Sequence, residues 1–167
     1  MKKTLLILGL ILSLTIAVFA TQVYFSPNGG CQAAIIREIS KANSTIDIAM
    51  YYFTEREIAQ ELVKAKDRKV AIRVLLDPSQ EKQKFSKSRY LLNKGITVKY
   101  DTGAGLMHNK FAIIDKKALI TGSFNWTATA EARNAENLLI MNDAELISKY
   151  QARYEMLWNK GRAGGKQ

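Results

Sequence analysis

The sequence predicts an α/β fold: a mixed central β-sheet with helices on both faces. Three observations predict it. Strand-like and helix-like segments alternate along the body of the chain. Several strand segments, VAIRVLLD among them, are apolar on both faces, as strands covered from two sides must be. KFAIID and ALITG are separated only by Lys116 and Lys117, too little chain for a crossover, so this pair is a hairpin and the sheet is mixed.

The elements follow in order. QVYFSP places a first strand over 22–25. CQAAIIREISKA, 31–42, carries Ala34, Ile35, Ile36 and Ile39 at helical spacing. STIDIAMYYF, 44–53, is rich in strand formers. Thr54 is expected to start a helix, with Glu57 completing a capping box, that passes through Ala59, Leu62, Val63 and Ala65 and ends near Lys69. A second buried strand covers 70–77, and a basic helix closed by Gly95 is expected over 82–94. ITVKY opens a strand at Ile96; further strands cover 110–115, 118–122 and 136–141. Asp143 starts a last helix through Leu146, Ile147, Tyr150, Tyr154 and Leu157. The tail GRAGGKQ, 161–167, is expected to be disordered. Pro27 and Pro78, the only prolines, each follow an apparent strand, and there are no repeats or low-complexity linkers, so 21–160 reads as one domain.

Composition narrows the function. With 47% apolar residues in 167, a full core is expected and wholesale disorder is excluded. Cys31 is the only cysteine and His108 the only histidine, which excludes an intrachain disulfide and a Cys/His metal cluster. No dense carboxylate motif appears either, so an enzyme built on this chain is expected to work without metal or other cofactor. Cys31 opens an apolar-periodic stretch and reads as a small core residue. The net charge is +10, or +8 with Lys2 and Lys3 set aside, which attracts nucleic acid and anionic lipid alike. The first residues, MKKTLLILGLILSLTIAVFA, read as a secretory signal peptide cleaved after Ala20, with an uncleaved membrane anchor through 5–20 as the competing reading. Either way the protein is expected to be exported: periplasmic, secreted or membrane-attached.

MHNKFAIIDKKALITGSFNW carries the chemistry. His108 and Lys110 are two apart at the start of a strand, so their side chains share a face, with α-carbons roughly 6.5–7 Å apart. Both can converge on one tetrahedral anion, the imidazole attacking phosphorus or moving a proton and the lysine stabilising the charge that builds on oxygen. Phe111 and Ile113 point to the other face and pack. After the turn, Gly122 allows close backbone approach, and Ser123 and Asn125 offer hydrogen bonds to the same anion. Glu136 heads a later strand, where its carboxylate could accept from the far nitrogen of His108 and fix its tautomer. Each residue alone has an ordinary reading as a surface or loop residue, and Asp115 one as a turn organiser. Their conjunction in one short stretch does not.

H-N-K-F-A-I-I-D followed by G-S-F-N-W resembles the phospholipase D superfamily motif, HxKxxxxD and then GSxN, and the Glu136-Asn137 pair fits as well. The chain looks like the short single-motif members, notably the bacterial Nuc-type endonucleases and the mitochondrial cardiolipin hydrolases. The resemblance implies a phospholipase D-like α-β-α sandwich and a two-step mechanism: one motif histidine forms a phosphohistidine, and the histidine of a second motif protonates the leaving oxygen and then activates water. This chain has one motif, so the second is expected from an identical subunit, in a homodimer. By the same resemblance Lys110 and Asn125 bind phosphate, Ser123 assists, Glu136 pairs with His108, and Asp115 is a structural member.

The family cuts both lipids and nucleic acids. EKQKFSKSRYLLNK sets Lys82, Lys84, Lys87, Arg89 and Lys94 around Phe85 and Tyr90, with Glu81 alone opposed to them. The first four are proposed as a nucleic-acid-binding face, weakly sequence-specific because such contacts go mostly to phosphates. The leading expectation is a largely non-specific endonuclease for DNA, with RNA as a further substrate. A phospholipase or cardiolipin hydrolase at a membrane surface, and a DNA-binding or uptake protein that does not cut, are the alternatives.

Overall fold

The computed structural model describes residues 21–165. The leader expected over residues 1–20 lies outside them, as do residues 166–167 of the tail. Among the described residues eight strands make one sheet: β1 (Gln22–Ser26), β2 (Thr45–Met50), β3 (Ala71–Leu76), β4 (Thr97–Tyr100), β5 (Lys110–Ile114), β6 (Ala118–Gly122), β7 (Glu136–Met141) and β8 (Arg162–Ala163). Their spatial order is β1-β7-β6-β5-β2-β3-β4-β8. The β2–β3 and β3–β4 pairs are parallel and all others antiparallel, so the sheet is mixed, as the hairpin implied.

Among the described residues five α-helices cover it: α1 (Cys31–Lys41), α2 (Arg56–Asp67), α3 (Ser88–Asn93), α4 (Ala128–Ala132) and α5 (Ala144–Lys160). One face packs Ile46, Ile48, Val74, Ala112 and Ile114 against apolar stripes of α1, α2 and α3. The other packs Ala49, Leu75, Phe111, Ile113 and Leu119 against Ile147, Tyr154, Leu157 and Trp158 of α5. Strand β5 shows the alternation directly: every residue is buried, with Ala112 and Ile114 on the first face and Phe111 and Ile113 on the second. The apolar run Phe111–Ile114 suits that position, buried on both sides. Cys31 is 0% exposed in the α1 core, and burial, with the negative charge of Glu131 second, pushes its thiol up to about 11.

Helix α5 is pinned by polar contacts as well. Arg73 forks onto Asp47 with two bonds of 2.7 Å and reaches Glu155 at 2.6 Å, its guanidinium lying 5.0 Å from the Tyr154 ring centroid. Such a planar, bidentate arrangement orients the helix on the strands.

Three local expectations are corrected. Helix α2 starts at Arg56, not Thr54, and its cap is Glu55, whose carboxylate accepts from the N–H groups of Arg56 and Glu57. The Thr54 and Glu55 N–H groups donate instead to the Trp126 carbonyl, 2.9 Å each, a tertiary bond that holds Thr54 out of the helix. The basic helix over 82–94 shrinks to α3, while Pro78–Glu81 forms a single 3₁₀ turn and residues 82–87 a loop. Like charges crowded along one helical segment repel, and the Lys87 N–H is taken by the Phe53 carbonyl at 2.9 Å. The tail is ordered through residue 165: Arg162–Ala163 adds β8 to β4, and the domain extends past residue 160. Arg162 forks onto Glu81 and lies 5.0 Å from the Tyr100 ring centroid, and the Gly164 N–H donates to Val98. Those contacts outweigh the flexibility of a glycine-rich end.

Candidate active site

The registers bring the singled-out residues to one end of the sheet. Met50, last in β2, pairs with Lys110, first in β5, and Gly122, last in β6, pairs with Leu138 near the start of β7. His108, Lys110, Ser123, Asn125 and Glu136 therefore cluster around neighbouring strand ends.

His108 is exposed and sits just before β5. Its ring centroid lies 4.5 Å from that of Tyr51, and among the described residues the imidazole makes no hydrogen bond. The backbone before it is clamped: buried Asp77 accepts from the Met107 N–H at 2.9 Å with one carboxylate oxygen and from Ser79 with the other. Lys110 is only 9% exposed. Its ammonium donates to the His108 carbonyl at 2.8 Å and lies 4.9 Å from the Tyr51 ring centroid. An ammonium has three donors, so two remain for an anion. Burial lowers the Lys110 pKa from its ordinary value, and the nearby charge of Glu136 partly opposes this.

The G-S-F-N-W segment is fastened to the chain leaving β2. The Asn125 side-chain carbonyl accepts from the Tyr52 N–H at 3.3 Å, the Trp126 N–H donates to the Tyr52 carbonyl at 3.1 Å, and Phe53 and Trp126 stack edge to face. Gly122 has φ 150°, and a Cβ there would stand 2.2 Å from the Asn137 carbonyl oxygen, so only glycine fits. That close approach seats Ser123 beside β7, where its hydroxyl donates to Glu136 at 2.5 Å and accepts from the Asn137 N–H at 3.1 Å.

The bond expected between Glu136 and His108 is not made. Both oxygens of Glu136 are already engaged, one by Ser123 and the other by the Asn134 amide at 3.0 Å. Sequence reasoning missed Tyr51, which touches both His108 and Lys110, because it was absorbed into a longer strand over 44–53; β2 in fact ends at Met50. It missed Asp77 and Asn134 for lack of any local signal.

Asp115 lies at the far end of β5. Its carboxylate accepts from the N–H groups of Asn43, Ser44 and Thr45 and from the Ser44 hydroxyl, while Asp115 and Lys116 make the positive-φ turn into β6. Burial alone would raise its pKa, but the donors from Thr45, Asn43 and Ser44 outweigh it and hold it down at about 2, against 3.8. A carboxylate with a depressed native pKa stabilises the fold above its unfolded pKa, and that contribution fades as pH falls through the native value. Asp115→Ala is expected to cost about 2–3 kcal/mol near neutral pH. In denaturant unfolding the gap to wild type should close between about pH 4 and pH 2.

Of the proposed nucleic-acid contacts, Lys82 and Lys84 are exposed in the 82–87 loop, Lys87 is half-buried at its end, and Arg89 is exposed on α3. They do not share one helix face. Among the described residues no group of three His, Cys, Asp or Glu side chains is placed to hold a metal ion, and no helix is long and apolar enough to cross a membrane.

One end of the α/β sheet thus gathers an imidazole, a desolvated ammonium, a hydroxyl, an amide and a carboxylate. Residues 35–158 match the family model described as cardiolipin synthase, PLD-like domain. The chain belongs to the phospholipase D superfamily. Among similar proteins, a phospholipase D of Rickettsia conorii is 46% identical over 126 residues, 75% of this chain and 63% of that protein. The mitochondrial cardiolipin hydrolase of Mus musculus is 35% identical over 126 residues, 75% of this chain and 57% of that protein. The chain thus spans less than two thirds of the length of these relatives. Two solved structures match over nearly their whole length. Nuc from Salmonella typhimurium, a phospholipase D family member, has a TM-score of 0.83 at 31% identity, covering 87% of this chain and 98% of its own. NucT from Helicobacter pylori has a TM-score of 0.84 at 28% identity, covering 87% and 99%.

Proposed function

We propose that this protein is a phosphodiesterase that cuts nucleic acid, DNA first and RNA as a further substrate, in a site shared by two copies of the chain. The observation that carries the reading is the lone, exposed His108 beside a buried lysine, in a site that offers one imidazole where the two-step reaction needs two. His108 of one copy attacks phosphorus; an N–P bond forms, the P–O bond to the leaving group breaks, and His108 of the second copy protonates the departing oxygen. Water then gives a proton to that second imidazole, its oxygen bonds phosphorus, and the N–P bond breaks. Lys110 and the Asn125 amide hold the phosphoryl oxygens, and Ser123, oriented by Glu136, assists them. Edge strand β1 leaves Val23 50% and Phe25 64% exposed, with Phe25 paired to Asn137 beside the site, an apolar surface suited to a second copy.

Nucleic acid is favoured because the basic 82–87 loop is tied to the same sheet end, through Lys87 and Phe53. The likeness to Nuc and NucT also spans those chains almost completely. A lipid phosphodiester is the second reading, favoured by the names of the Rickettsia and mouse relatives. The protein is proposed to act after export, free or held at a membrane through residues 5–20.

The test offers the purified chain, in excess EDTA, plasmid, single-stranded DNA, RNA and cardiolipin vesicles. Cutting of nucleic acid without lipid turnover supports the reading; lipid turnover alone reverses it. The shared site is tested by exchange. When wild type is mixed with an equal amount of His108→Ala and allowed to re-equilibrate, activity per wild-type chain should fall to about half, because mixed dimers hold one imidazole. Unchanged activity per wild-type chain means that each copy works alone.

A further inference from the structure

The 82–87 loop and the start of α2 enclose a cavity of about 300 Å³, lined by Arg56, Lys84, Phe85, Lys87 and Tyr90 among others. That is the lower end of the range for small-ligand sites. Its composition is unusual for so small a space: three cations and two aromatic rings. Among the described residues none of Arg56, Lys84 and Lys87 has an ion-pair partner. Phe85 is 64% exposed, yet its backbone is held, its N–H donating to the Gln83 side chain at 2.8 Å. The Lys84 ammonium lies 5.6 Å from the Phe85 ring centroid. A cation covers one face of a ring and leaves the other for a stacked partner.

The cavity is also close to the site. Lys87 is bonded to Phe53, and Arg56 is five residues beyond Tyr51, which touches His108. Five residues of chain span at most about 18 Å, the reach of a few nucleotides.

We propose that this cavity is a subsite for one nucleotide of a single-stranded nucleic acid, its base stacked on Phe85 and its phosphate held by Arg56, Lys84 and Lys87. The inference rests on the nucleic-acid reading above and deepens it by naming the strand state. A base within a duplex has both faces covered by its neighbours, whereas an unpaired base offers its face to an aromatic side chain. The subsite therefore selects single strands, or duplex ends and gaps, and does so without reading sequence, because every base has a π-face.

The experiment measures binding of a fluorescent oligothymidylate, the same oligomer with abasic sites, and a duplex, by anisotropy in the His108→Ala background. Phe85→Ala should weaken binding of the single strand about tenfold, leave duplex and abasic binding nearly unchanged, and be rescued by Phe85→Trp. Phe85 is exposed, so the variant should fold, which circular dichroism checks. Equal binding of the single strand by both proteins overturns the subsite while leaving the nuclease reading intact. A wild type that hydrolyses bis(p-nitrophenyl) phosphate but neither cuts nor binds any oligonucleotide overturns the nucleic-acid reading, and the subsite with it. Loss of phosphatidylglycerol-vesicle binding in Phe85→Ala, with oligonucleotide binding intact, overturns the subsite in favour of a membrane contact.

Discussion

Replacing His108 with alanine is expected to lower phosphodiester cleavage by about 10⁴-fold or more. In the mechanism we propose the imidazole has two duties, nucleophile in one copy and proton carrier in the other, and the chain holds no second histidine to take over either. The loss should appear in kcat with KM little changed, because Lys110, Asn125 and the basic loop still bind the substrate. Folding should be untouched: the ring is exposed, and among the described residues it makes no hydrogen bond and contacts only Tyr51 as an aromatic partner. The measurement is a cleavage time course in EDTA beside thermal melts of both proteins. Activity within a hundredfold of wild type, at an unchanged melting temperature, would remove His108 from the covalent step and leave it a binding residue.

Lys110→Met is expected to reduce kcat/KM by about 10²–10³-fold, the usual cost of losing one charged donor to developing oxyanion charge. Lys110 is desolvated, so its charge acts through little water, and that same burial lowers its pKa. The sign follows. The ammonium is the active form, so cleavage should fall as pH rises, on a limb below the ordinary lysine value of 10.5. Lys110→Arg, charged across the whole range, should retain part of the activity and lose that limb. Stability moves the other way. A lysine whose native pKa is depressed opposes folding while it is charged, so Lys110→Met should melt no lower than wild type at neutral pH. An alkaline limb that persists in Lys110→Arg would assign it to another group.

Much of the fold was legible because its elements write their burial along the chain. The alternation in β5, the helical spacing of Ile35 and Ile39 in α1, and the capping aspartate at 143 are local patterns with local causes. His108 and Lys110 were legible for the same reason, two apart where a strand begins, so that a period of two turns spacing into shared direction; Ser123 and Asn125 lie past the end of β6 and are placed by their bonds to Glu136 and Tyr52. What was misread depended on distant partners. Thr54 satisfies the capping rule, but its N–H is taken by Trp126, 72 residues away. The 82–94 segment looks like a charged helix until Lys87 is seen bonded to Phe53. The tail looks mobile until Arg162 meets Glu81, 81 residues earlier. Glu136 was correctly placed at a strand head, yet its partner is Ser123 and not His108.

The sequence by itself determined the fold class, the mixed sheet, the buried thiol, and the spacing of the candidate site residues, since each follows from short-range periodicity or residue chemistry. Only the tertiary structure decided what surrounds those side chains. It buried Lys110 and laid Tyr51 across the histidine and the lysine. It gave Glu136 to Ser123, left Asp115 to the far end of the strand, and drew the basic loop to the site end of the sheet. Strand order is the physical reason. Lys110 in β5 meets Met50 in β2, sixty residues away, because those two strands are neighbours in space, and no local pattern along the chain records which strands will be neighbours.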